Sequence, residues 1–110
     1  GAPTCAAPHL ARARLGPADL ERAWRQLVDG LRAMVAEGFA HADLSAFNLL
    51  WWDGELVFID FPQAVDLATN PSGLDFLHRD VVNVCRWFAR RGVDRDPEEV
   101  FADLLADAFR

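Results

Sequence analysis

The chain has 110 residues and a formal net charge of -6, and it is 52% apolar and 25% charged. That size suits one domain with a real core, and that composition excludes a disordered chain. The acidic balance excludes a broad basic nucleic-acid surface, and no apolar run approaches the ~20 residues that span a bilayer.

Residues 1–16 hold two prolines, several alanines and no periodicity, so they read as an extended hinge or linker segment. The start Gly1-Ala2-Pro3-Thr4 has no basic stretch leading into an apolar one, so no signal peptide is expected. Pro17 opens a helix where its missing N–H costs nothing. Leu20, Trp24, Leu27, Val28, Leu31, Met34 and Val35 continue it at helical spacing through Glu37, and Gly38 suits the stop. Two short apolar runs, Leu49-Leu50-Trp51-Trp52 and Leu56-Val57-Phe58-Ile59, flank Asp53-Gly54, a dipeptide made for a tight hairpin. Trp51 and Trp52 face opposite sides of their strand, one toward the core and one toward a second lobe.

Residues 62–73 carry Pro62, Asn70, Pro71, Ser72 and Gly73, which is loop chemistry. A helix from about Leu74 to Arg91 follows, with Phe76, Leu77, Val81, Val84, Cys85, Trp87 and Phe88 apolar and Gly92 ending it. Asp96-Pro97-Glu98-Glu99 reads as an N-cap, an N1 proline and a capping Glu. Val100, Phe101, Leu104, Leu105 and Phe109 make the last amphipathic helix. Cys5 and Cys85 lack metal-type spacing; Cys85 reads as a buried thiol, a disulfide stays open, and a reducing cytoplasm is the expected setting.

The chemistry concentrates in His41-Ala42-Asp43-Leu44-Ser45-Ala46-Phe47-Asn48, followed by Asp60 at the end of an apolar strand. An Asp, four residues, an Asn, and then an Asp closing a strand is the phosphate end of a kinase-type site. There the first Asp takes or orients the proton of the attacking hydroxyl, and the Asn and second Asp hold magnesium. The hairpin between Asn48 and Asp60 would bring both side chains to one metal. The ordinary alternative, Asp43 as a capping or turn residue, does not account for the other two. No Gly-rich loop and no Val-Ala-Ile-Lys-like strand precede the motif, so residues 17–110 are expected to form a C-terminal lobe. The fold class is then α+β, mainly helical, a protein-kinase-like C-terminal lobe whose short hairpin carries the catalytic and metal-binding residues.

Three segments sharpen this: His41 to Asn48, Ile59-Asp60-Phe61-Pro62-Gln63-Ala64-Val65, and Arg79-Asp80-Val81-Val82-Asn83-Val84. Together they closely resemble the RIO family of atypical serine/threonine protein kinases over roughly residues 8–95. Ser45 stands where ordinary protein kinases have a Lys, and Phe-Pro-Gln rather than Phe-Gly follows Asp60. No Ala-Pro-Glu or long activation segment intervenes before the next helix. The resemblance implies that Asp43 is the catalytic Asp, that Asn48 and Asp60 bind the metal, and that Ser45 lies near the phosphates. It also implies that Asp60 lies close to the γ-phosphate and enters a phosphoaspartate cycle. The implied cofactors are ATP and Mg2+, with Mn2+ as a substitute. The implied partners are a protein substrate or the kinase itself, and a ribosome-related assembly. His41 is expected to brace the loop, and Gln63 either braces its loop or meets the nucleotide. His78-Arg79-Asp80 spells the usual catalytic triplet, but position 85 is Cys85 rather than Asn, so Arg79 and Asp80 are read as structural.

Two other functions compete. An aminoglycoside- or choline-type phosphotransferase shares the His-x-Asp-x-x-x-x-Asn and Ile-Asp-Phe pattern. A non-catalytic half-kinase would bind a partner instead. Its open lobe interface would expose apolar surface, a site for dimerisation or for a cleaved fragment.

Overall fold

The first long helix, α1, spans Pro17–Ala36 in the computed structural model, which describes residues 9–59 and 64–108. Leu20, Ala23, Trp24, Leu27, Leu31, Met34 and Val35 fall on one side of it and are buried. Gly38 then takes φ +88°, a left-handed conformation that ends a helix cheaply only for glycine.

Two small antiparallel sheets follow. Strand β1 (Phe39–Ala40) pairs with β4 (Val65–Asp66). Strand β2 (Leu49–Trp52) pairs with β3 (Glu55–Phe58), with Leu49 opposite Phe58 and Trp52 opposite Glu55. Asp53 and Gly54 between them take φ +50° and +76°. Two positive φ values make the tight turn whose twist matches a hairpin. Gln26 of α1 clamps it: its Nε2 donates to Gly54 O at 2.8 Å and its Oε1 accepts from Leu56 N–H at 2.7 Å.

Helix α2 spans Gly73–Ala89 and buries Leu77, Val81, Val84, Cys85 and Phe88. Gly92 N–H donates to Ala89 O and Val93 N–H to Phe88 O, the paired bonds of a Schellman closure. Helix α3 spans Pro97–Ala108, and the Asp96 carboxylate accepts from Glu98 N–H at 2.9 Å at its start. Trp24 of α1 meets Phe88 of α2 edge-on, with ring centroids 5.3 Å apart, and α3 packs on both helices. No described helix is long and apolar enough to cross a membrane.

The architecture is the mainly helical α+β arrangement read from the sequence. Two local readings differ. Residues 9–12 are not an extended linker: His9 bridges Leu50, Leu10–Arg12 form a 3-10 turn, and Leu10 is fully buried. An isolated apolar residue among alanines carries no periodicity, so only the pocket it fills reveals it. The β1–β4 pair was also unread, because two-residue strands hold no alternating pattern. Trp51 and Trp52 are both half-buried, and Trp51 packs on the core.

Candidate active site

The segment from His41 to Asn48 links β1 to β2, and α2 holds it from below. Asp80, fully buried, accepts from Ala42 N–H at 2.8 Å and from Leu44 N–H at 3.0 Å. Arg79 Nη2 donates to Ala42 O at 2.6 Å. These three bonds fix the backbone on both sides of Asp43. They also hold Ala42 at φ +76°, a conformation that an alanine reaches only at a cost of about 1–2 kcal/mol. Ala42 and Leu44 are buried, while the Asp43 carboxylate between them is exposed. A reactive group held by its neighbours and open to a substrate is the arrangement that general-base chemistry needs. Burial raises the pKa of Asp80 above the ordinary carboxylate value, against the pull of Leu44 and Ala42 N–H, His41 and Arg79.

His41 is fully buried. Its Nε2 lies 2.7 Å from Ile59 O, and Asp43 N–H donates to Nδ1 at 3.3 Å. With Ile59 O as acceptor, Nε2 is the donor and Nδ1 is left to accept. The ring therefore ties the Asp43 loop to the end of the hairpin, which is the bracing role expected for it.

Ser45 begins a 3-10 turn over Ala46–Asn48. Its Oγ accepts from Phe47 N–H at 3.2 Å and donates to Asn48 Oδ1 at 2.8 Å. The structure thus places Ser45 as the cap of the turn and the partner that aims the Asn48 amide. Asn48 is 9% exposed, and its main-chain O accepts from Ile59 N–H at 2.9 Å. The hairpin therefore brings Ile59, the residue before Asp60, against Asn48. Asp60, with Phe61, Pro62 and Gln63, lies outside the described residues, as does Cys5.

Ser45 Oγ and Asn48 Oδ1, 2.8 Å apart, and the exposed Asp43 carboxylate on the same loop offer oxygen ligands. That set fits a hard cation such as Mg2+ rather than zinc. Among the described residues no three His, Cys, Asp or Glu side chains gather at one point. Phe47, 62% exposed, stands on the same loop. The hairpin clamp by Gln26 escaped the sequence reading. Its partners lie 28 and 30 positions along the chain, beyond the reach of any local signal.

Comparison with known proteins gives one consistent result. The RIO domain family model matches residues 2–100. A RIO-type serine/threonine-protein kinase Rio1 from Thermoplasma acidophilum is 41% identical over 80 residues, covering 73% of this chain and 42% of that protein. Human serine/threonine-protein kinase RIO3 is 39% identical over 88 residues, 79% of this chain and 17% of that one. The crystal structure of the Rio2 kinase-ADP/Mg2+-phosphoaspartate complex from Chaetomium thermophilum superposes with a TM-score of 0.72. It covers 92% of this chain and 33% of that one at 22% identity, which shows the shared fold. The chain spans less than half the length of the relatives it matches.

Proposed function

The chain belongs to the RIO domain family, and on that premise we propose that it is the C-terminal lobe of a RIO-type serine/threonine kinase or ATPase. In this reading Asp43 accepts or orients the proton of the attacking hydroxyl. Asn48 and Asp60 hold Mg2+, with Ser45 keeping the Asn48 amide aimed and close to the phosphates. Bound there, the metal supplies positive charge against the β- and γ-phosphate oxygens of ATP. In an ATPase branch the Asp60 carboxylate attacks the γ-phosphorus, the bond to the ADP oxygen breaks, and water then hydrolyses the aspartyl phosphate. The ADP, Mg2+ and phosphoaspartate of the Chaetomium Rio2 complex support that branch by analogy. The acceptors are protein side chains or the kinase itself, and the setting is the cytoplasm.

One observation carries the reading: the Asp80 carboxylate grips the main chain on both sides of an exposed Asp43. So much structure around one solvent-facing carboxylate has no purpose in a plain turn. Positioning and electrostatics supply most of phosphoryl-transfer catalysis, and a nucleotide is clamped between two lobes. The 110 residues alone are therefore expected to turn over ATP negligibly and to bind Mg·ATP weakly. The test measures Mg-dependent ATP turnover in the longer protein carrying both lobes. Asp43→Asn should lower kcat by about 10²–10⁴-fold. Unchanged turnover in that variant would remove Asp43 from the chemistry and favour the partner-binding half-kinase. Robust turnover by the isolated monomeric chain would overturn the lobe reading. A small-molecule phosphotransferase has nothing in its favour beyond the shared motif.

A further inference from the structure

The sequence contains no lysine, so all 11 of its basic side chains are arginines. Three grooves on the surface mix them with carboxylates. Between α1 and α3, Arg32 and Arg95 face Asp96, Glu99 and Asp103. Beside α2, Arg79 shares a groove with Asp75, and Arg86 and Arg95 share another with Asp94. One groove, of about 430 Å³, is different. Among the described residues its charged lining is Arg12, Arg14 and Arg91, with no carboxylate, over an apolar floor that includes Leu15 and Leu20.

The three guanidiniums are not equivalent. Arg91 is already fixed: its Nη1 donates to Trp87 O at 3.1 Å, and its guanidinium lies over the Trp87 ring, 3.7 Å from the centroid. Stacking and one bond hold the planar fork and leave its other N–H groups for a ligand. Arg12 and Arg14 flank Ala13, whose backbone is extended (φ -74°, ψ 139°), so alternate side chains share a side and both line the groove. Neither has an ion-pair partner among the described residues. Three like charges around one concavity repel each other, and an anion between them relieves that repulsion.

The shape and charge narrow the ligand. A polynucleotide needs an extended basic stripe, and a chain of net charge -6 repels a polyanion at long range. A single compact dianion meets only the local field. Arginine forks match phosphate oxygens two at a time, and the leucine floor suits a short aliphatic stem. We propose that the groove formed by Arg12, Arg14 and Arg91 binds a phosphomonoester dianion of the kind carried by a phosphorylated serine or threonine side chain. None of its lining residues belongs to the 41–48 loop, so this site is separate from the candidate phosphoryl-transfer site.

The test needs no turnover. O-phosphoserine, inorganic phosphate and unmodified serine are titrated separately into the full protein at about pH 7.5, where the phosphoryl group is mostly dianionic. Binding is followed calorimetrically without ATP. O-phosphoserine should bind and serine should not. Arg12→Gln and Arg14→Gln should each weaken binding by about tenfold, the value of one charged hydrogen-bonding partner. Arg14→Lys, which keeps the charge and loses the fork, should fall between. Arg25→Gln, on the exposed side of α1, should change nothing, and thermal melts check that each variant folds. Binding untouched by the Arg12 and Arg14 changes would overturn the proposal. So would inorganic phosphate binding with O-phosphoserine excluded, or a single-stranded oligonucleotide binding more tightly and weakening equally with Arg25→Gln.

Discussion

Replacing Asp80 by Asn would keep the side chain's shape and turn one of its two acceptor oxygens into a donor. That donor would face the N–H of Ala42 or of Leu44, both now bonded to the carboxylate. A buried N–H left unpaired costs about 1–3 kcal/mol, and more when the lost partner was charged. Asp80→Asn is therefore expected to lower unfolding stability by about 2–3 kcal/mol, with the denaturant midpoint falling and the slope unchanged. Stability within about 0.5 kcal/mol of the parent would contradict the bracing account. Cys85 makes a second test at this scale. Burial, with a smaller push from Asp96, raises its thiol pKa to about 11. At pH 8 only about one in a thousand such groups is thiolate, the reactive form. In a Cys5→Ser background, Cys85 should resist an aromatic disulfide reagent until the chain unfolds, and rapid stoichiometric labelling of the native protein would refute its burial. The kinase-type spacing singled out Asp43 and Asn48, and the exposure of one and burial of the other came only with the structure. The bond from Ser45 to the Asn48 amide was not, because a hydroxyl's partner depends on a turn that one sequence does not specify.

Gly30 shows how an element is seated rather than merely formed. It lies in the middle of α1, where glycine costs about 1 kcal/mol against alanine. A Cβ there would stand 2.5 Å from Cε1 and 2.6 Å from Cζ of Phe58, on β3. The ring occupies the space that any larger residue would need, so the hairpin can approach the helix. Gly30→Ala gains helix propensity but pushes the ring outward, and overpacking of that kind costs about 1–3 kcal/mol. The expected net effect is a loss of about 1 kcal/mol by chemical denaturation. In a Phe58→Ala background the same change should stabilise, since the obstacle is gone. A gain in both backgrounds would show that Phe58 does not rest on Gly30. Helices α1, α2 and α3 and the Asp53-Gly54 hairpin were readable because each has its own local signal: a 3.6-residue stripe, a proline or Asp start, a glycine stop. The Gln26 clamp joins residues 28 and 30 positions apart, and no local signal spans that distance.

For the molecule as a whole, α1 is the shared support. The hairpin rests on one part of it, β1 leads out of its end, and α3 crosses it. The radius of gyration, 13.6 Å, is close to the ~13 Å expected of a compact domain of this length. The described residues therefore enclose a core of their own, with Phe88, Leu27, Leu31 and Leu104 at most 1% exposed. The 41–48 loop is tied to that core through Asp80. Charge is also distributed at this scale: a chain at -6 gathers three arginines in one groove with no acid among its described lining residues.

The sequence by itself determined the three long helices and the β2–β3 hairpin, the helical α+β class and the kinase-type spacing of Asp43, Asn48 and Asp60. It also carried the resemblance that the RIO domain match turned into family membership. Those features are local or nearly so, and short-range sterics, periodicity and turn chemistry write them directly into residue order. The tertiary structure decided the rest. Leu10 became core, Ala42 was held left-handed, Ser45 became the partner of Asn48, and Arg12, Arg14 and Arg91 met in one groove. Each of these needs residues far apart in the chain, or a conformation that no residue prefers alone, and only closing the core brings them together and offsets the cost.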